Sequence, residues 1–135
     1  VRPVSVQQMM WDSVDAPTNR KHWYVTPPGK NSLHNFGAAV DVTLMDSNGT
    51  SLDMGTDFDH FGKAAYTTDE DRLQEEGVIS EAALKNRRLL RQIMDNAGFT
   101  SIKYEWWHFN SCSRNVAKSK YPLIFELTES ESTSE

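Results

Sequence analysis

His34, Asp41 and His108 are the residues whose types and spacing could do chemistry in this chain. Two imidazoles and a carboxylate form a set suited to catalytic zinc. Three protein ligands leave one coordination position open for water. Glu105, three residues before His108, adds a carboxylate able to move protons beside such a metal. Taken singly, each histidine is more ordinarily a surface or satisfied core residue. Only convergence in space would make a hydrolytic site.

Convergence sets geometric conditions. His34 and Asp41 are separated by an odd number of positions, so one regular strand would point them to opposite faces. The chain must change course between them, and Gly37 is where it can. Glu105 and His108 have the same problem. A bulge or strand end is required near Trp106 and Trp107.

The elements that must position these residues follow from periodicity and punctuation. Residues 5–14 read as a helix entered through Pro3, with Val6, Met9, Met10 and Val14 as its apolar stripe. Residues 15–31 form a Pro-rich loop with aromatics at Trp23 and Tyr24. Residues 38–44 alternate as a strand, with Val40, Val42 and Leu44 toward the core and Asp41 on the other face. Asn48-Gly49 signals a hairpin whose returning partner is residues 51–54. Residues 55–71 read as irregular. Ser80 is an N-cap for a helix over 81–97, ended by Gly98, with Leu90, Ile93, Met94 and Ala97 as its core stripe. Residues 100–109 and 122–127 read as strands, and 128–135 as a frayed acidic tail. The fold class is α+β, with antiparallel pairing expected over βαβ units.

Composition narrows the function. The chain has 135 residues, 14 basic and 19 acidic, for a formal charge of −5. That length suits one domain. An acidic chain lacks the basic stripe of a nucleic-acid binder; the cluster Arg87, Arg88 and Arg91 reads as a solvated helix face. No apolar run is long enough to span a membrane. One cysteine, Cys112, rules out an intramolecular disulfide and a cysteine-rich zinc site. It reads as a small filler, and no motif supplies the base a catalytic thiol needs. His22 and His60 read as non-ligands, and Trp106 and Trp107 as core and pocket wall.

Three blocks carry a resemblance. Ser32-x-His34-x-x-Gly37-x-Ala39-x-Asp41, then Asp53-Met54-Gly55-Thr56-x-Phe58-Asp59, then Glu105-Trp106-Trp107-His108-Phe109 together resemble the VanX-type zinc D-alanyl-D-alanine dipeptidases of peptidase family M15. The matches extend from Arg2-Pro3 to about Phe109. The resemblance implies Zn2+ bound by His34, Asp41 and His108, with Glu105 as general base. It implies that Arg2 stabilises the oxyanion, with Val1 standing where the family has Tyr; Arg114 is the rival. It implies that Ser32 binds the substrate carboxylate and Asp59 the substrate amine, and that 54–56 closes the pocket. The architecture implied is a hedgehog/D,D-peptidase-like fold, a central antiparallel sheet flanked by helices. Residues 1–135 are then one zinc peptidase domain lacking an N-terminal segment of the family.

The expected reaction is hydrolysis of D-alanyl-D-alanine or a similar small D,D-dipeptide. A peptidoglycan stem-peptide carboxypeptidase is a close alternative with the same chemistry. A non-catalytic zinc-binding module is an alternative of another class; the presence of every ligand and the base argues against it. Periplasm, cell envelope and cytoplasm all stay open, as does the oligomeric state.

Overall fold

At both ends of the longest helix, sequence signal and structure agree closely. Ser80 Oγ accepts from the Ala83 N–H at 3.0 Å and opens the longest helix. Gly98 follows its last turn at φ +87°. The computed structural model describes residues 1–126 except 18, 24, 28 and 29, with backbone only for Trp23. The expected frayed tail, Leu127 and Tyr24 lie outside the described residues.

The chain forms two compact units, one of Val1–Val40 with the segment from Cys112, the other Asp41–Ser111. In chain order the elements are α1 (Val4–Ser13), β1 (Ala39–Asp41), α2 (Glu70–Glu75), α3 (Glu81–Asn96), β2 (Thr100–Ser101), β3 (His108–Asn110) and α4 (Arg114–Lys120). The strands form a three-stranded sheet in the order β1-β3-β2. β2 and β3 are antiparallel, with Thr100 opposite Asn110 and Ser101 opposite Phe109. Among the described residues, four α-helices with this small sheet make an α+β fold. Among the described residues no helix is long and apolar enough to cross a membrane.

In the first unit, the stripe expected of α1 does not form its buried face. Val6 and Met9 are exposed, and the buried residue is Gln7. Gln7 tolerates burial because its amide is satisfied: it donates to Thr26 O at 3.0 Å and accepts from Arg2 at 3.2 Å. A small apolar cluster of Phe36, Ala38 and Ala117 gathers Leu33, Cys112 and Leu123 around it. Cys112 is thus a half-buried packing residue. The helix α4, capped by Ser113, has no counterpart in the sequence reading. Residues 122–126 do not form the expected strand. Ile124 and Phe125 carbonyls instead accept from the N–H groups of Val4 and Ser5, and Ile124 N–H donates to Asn35 O.

In the second unit, the strand expected over 38–44 contracts to β1. Beyond it, Val42 N–H donates to Trp107 O at 2.9 Å. The Asn48-Gly49 hairpin is present, with a Met45–Ser51 bridge and an Asp46 N–H bond to Thr50 O. The strand expected over 100–109 is broken into β2 and β3. The stretch 55–71 is irregular apart from a 3-10 turn at Lys63–Ala65, but α2 begins within it at Glu70.

The α3 face also needs correction. Ala83, Leu84, Arg87 and Leu90 are buried, whereas Ile93 is exposed. The stripe sits one turn earlier than expected, against Ile79 and Leu73. Arg87 is no solvated residue: it is 1 % exposed. Its guanidinium donates to Met54 O and Ala64 O at 2.7 Å each and lies 3.5 Å from a Glu70 carboxylate oxygen. Burial pushes its pKa down, and Glu70 pushes it partly back.

Candidate functional site

Within the first unit, Ser32 is itself extended and caps the 3-10 turn Leu33–Phe36. Its Oγ accepts from the His34 N–H at 3.3 Å, and Asn35 Oδ1 returns the favour to the Ser32 N–H at 2.9 Å. This reciprocal cap fixes the backbone of His34, which is 6 % exposed. Gly37 closes the turn at φ +66°, a left-handed conformation natural to glycine. The change of course required between His34 and Asp41 occurs there.

Arg2 is anchored locally. Its N–H donates to His34 O at 3.1 Å, and its carbonyl accepts from Asn35 Nδ2 at 2.6 Å. Its guanidinium donates to Gln7 Oε1. The rival Arg114 donates to Asn31 O at 2.8 Å, a backbone tie within the same unit.

Within the second unit, β3 starts at His108, directly after a turn through Trp106 and Trp107. This strand end is the break that Glu105 and His108 need in order to meet. His108 Nδ1 lies 3.2 Å from Asp41 Oδ1 and 3.7 Å from Glu105 Oε2. Its Nε2 lies 2.6 Å from Asn110 Oδ1. Burial alone would lower the His108 pKa. The hydrogen bonds to Asp41 and Asn110 and the charges of Glu105 and Asp41 outweigh it, so the pKa stands above the usual value.

Trp106 and Trp107 form the turn that precedes this corner. Both are buried, and Trp106 Nε1 donates to Thr56 Oγ1 at 2.7 Å. Phe58 stacks on Trp106 with centroids 5.5 Å apart and meets Trp107 edge-on at 6.2 Å. That contact holds the loop carrying Asp59. Asp59 is exposed, at φ +58°, a conformation Asp tolerates better than most side chains.

One side-chain atom from each of His34, Asp41 and His108 falls within 4.8 Å of the others, so the three could hold a metal ion. Neither His22 nor His60 belongs to such a group among the described residues. Two nitrogens and a carboxylate oxygen are ligand types that zinc accepts.

The sequence reading missed Asn110 and placed the buried Arg87 on a solvated face. Asn110 could have been found two positions beyond His108, on the same strand face. Arg87 could have been found from its place one turn before Leu90 on the buried face of α3.

Sequence comparisons show the family to which the chain is similar. The family profile of peptidase M15, described as D-ala-D-ala dipeptidase, matches residues 1–124. A D-alanyl-D-alanine dipeptidase of Escherichia coli (strain K12) is 36% identical over 123 residues, covering 91% of this chain and 55% of the relative. Another, of Synechocystis sp. (strain ATCC 27184 / PCC 6803 / Kazusa), is 31% identical over 137 residues, covering 81% and 56%. A third, of Enterococcus faecium, is 38% identical over 79 residues, covering 58% and 36%. The chain spans about half the length of the first two relatives it matches. By the extent of the family match, the chain belongs to the peptidase M15 family of D-ala-D-ala dipeptidases.

Proposed function

We propose that this chain hydrolyses D-alanyl-D-alanine, or a similar small D,D-dipeptide, with zinc held by His34, Asp41 and His108. The observation that carries the reading is the grouping of two imidazoles and a carboxylate, with Glu105 3.7 Å from one of those imidazoles. Zinc in such a set supplies an acidified water and a Lewis acid for the scissile carbonyl.

The protein's own residues do the rest. Glu105, with its side chain 34% exposed, is accessible enough to take a proton from the attacking water. It then passes that proton to the leaving amine. Arg2 offsets the charge that develops on the carbonyl oxygen. Ser32 Oγ accepts from the His34 N–H, so its own hydroxyl proton can be given to the substrate carboxylate. Asp59 pairs with the substrate ammonium. A pair of opposite charges at the two ends favours a free dipeptide over the interior of a long chain.

The test is release of free D-Ala from D-Ala-D-Ala by the zinc-loaded protein, by the chelated protein and by Glu105→Gln. Cleavage by the first alone supports the reading. Preferential cleavage of a longer stem peptide would favour a carboxypeptidase instead. Zinc uptake without cleavage of either substrate would favour a binding module.

A further inference from the structure

The two nitrogens of His108 face chemically different partners. Nδ1 faces two carboxylates, Asp41 at 3.2 Å and Glu105 at 3.7 Å. Nε2 faces the carbonyl oxygen of the Asn110 side chain at 2.6 Å. Residues two apart on a strand share a face, and β3 carries both. Pairing of Asn110 with Thr100 on β2 fixes the strand in that register. His108 is 8 % exposed, so water is a poor substitute for either partner.

An amide oxygen can only accept. It satisfies the ring when Nε2 carries a proton, and it leaves Nδ1 as the one nitrogen with a lone pair to give. We propose that Asn110 is a positioning residue: it holds the Nε2 proton of His108, and so presents Nδ1 as the metal-binding atom. The inference rests on the proposed zinc site and adds the atom by which His108 binds and the residue that selects it. The role is that of an outer partner which orients a ligand and raises its basicity. The opposite orientation of the Asn110 amide would place an NH2 against Nε2. It would favour a proton on Nδ1 and spoil that nitrogen as a ligand.

The experiment compares the wild-type protein with Asn110→Ala and Asn110→Asp. Zinc affinity is measured by chelator competition, and the His108 ring nitrogens are assigned by 15N NMR in the zinc-loaded state. Wild type is expected to show a protonated, hydrogen-bonded Nε2 and a metal-bound Nδ1. Asn110→Ala should weaken zinc binding about 10- to 100-fold and lose the hydrogen-bonded Nε2 proton signal. Asn110→Asp keeps an acceptor at the same place and should hold zinc at least as well as wild type.

A metal-bound Nε2 in wild type overturns the inference while leaving the zinc site standing. So does a folded Asn110→Ala with zinc affinity within about twofold of wild type. Should Asn110→Ala fail to fold, an Asn110→Asp protein that folds but binds zinc poorly overturns it equally. A wild-type protein that takes no zinc overturns both readings.

Discussion

Asp41 Oδ1 and Glu105 Oε2 approach the same nitrogen of His108, at 3.2 and 3.7 Å. The two carboxylates are nevertheless unequal. Asp41 is close enough to hydrogen-bond the ring, whereas Glu105 stands back. Asp41→Asn and His108→Ala are therefore expected to lose zinc, and Glu105→Gln to keep it while losing activity about 100- to 10,000-fold. Metal content after dialysis, measured beside D-Ala release, separates the two roles. Zinc loss from Glu105→Gln as severe as from Asp41→Asn would make Glu105 a ligand rather than a base.

Asp59 offers a cleaner test of substrate recognition than most charged residues. Its φ of +58° would strain many replacements, but Asn accepts that conformation as readily as Asp. Asp59→Asn should therefore fold normally. It should raise KM for the free dipeptide by roughly tenfold, the effect of one lost charge-assisted contact. An N-acetylated dipeptide, which has no ammonium, should be cleaved equally by both proteins. An unchanged KM for D-Ala-D-Ala would remove Asp59 from the substrate site.

The site was more legible in the sequence than its supports were. Side chains with few alternative uses, such as His34, Asp41 and His108, stand out by type. The geometric demands between them identify Gly37 and the turn before His108 as places where the backbone must bend. Supports such as Arg87 and Gln7 are hard to read because a polar side chain ordinarily signals exposure. Each is buried only because a particular backbone carbonyl, of Met54 and Ala64 for Arg87 and of Thr26 for Gln7, comes from elsewhere in the chain. Such pairings have no local signal. The strand over 100–109 failed for a related reason: aromatic residues favour strands, yet Trp106 and Trp107 gain more by packing with Phe58 across a turn.

Arg87 and Arg88 are neighbours on α3 with opposite fates. The Arg87 side chain is fully buried beside Glu70, whereas Arg88 pairs with Asp71 in the open, its side chain 52 % exposed. Arg87→Leu should cost about 3–5 kcal/mol, because it leaves a buried carboxylate short of a partner and two carbonyls without donors. Arg88→Leu should cost under about 1 kcal/mol. Urea unfolding of the two variants measures both. Equal losses would mean that burial of Arg87 contributes nothing specific.

Gly55 sits where α3 meets the Asp53-Met54-Gly55 loop. At φ +86°, a Cβ there would lie 2.6 Å from Ile79 Cγ2 and 3.2 Å from an Arg87 nitrogen. Gly55→Ala should therefore destabilise by about 1–3 kcal/mol through strain and overpacking. The same substitution at Gly49, where a Cβ meets nothing within 4 Å, should cost only the backbone strain. Thermal unfolding of the pair isolates the steric part, and a Gly55→Ala protein no less stable than Gly49→Ala would refute the close approach.

Asp53 ties the same loop to the start of α3, and its contribution should depend on pH. Ser80 Oγ donates to Asp53 Oδ2 at 2.5 Å and the Gly55 N–H donates to Oδ1 at 2.9 Å. The Ser80 bond, then the Gly55 bond, hold the carboxyl below its ordinary value of 3.8. A depressed carboxylate pKa in the folded state means that the unfolded chain binds the proton more readily. Its stabilisation is present above 3.8 and is lost as pH falls through the lower, folded value. Asp53→Asn removes the charge and should cost about 1 kcal/mol near neutral pH, a modest sum because the group is solvent-exposed. The gap between wild type and Asp53→Asn should stay constant from pH 7 to about pH 5 and narrow below pH 4. Unfolding midpoints across that range measure it. A gap that widens with acidification would mean that Asp53 is held in its protonated form, contrary to the donors that face it.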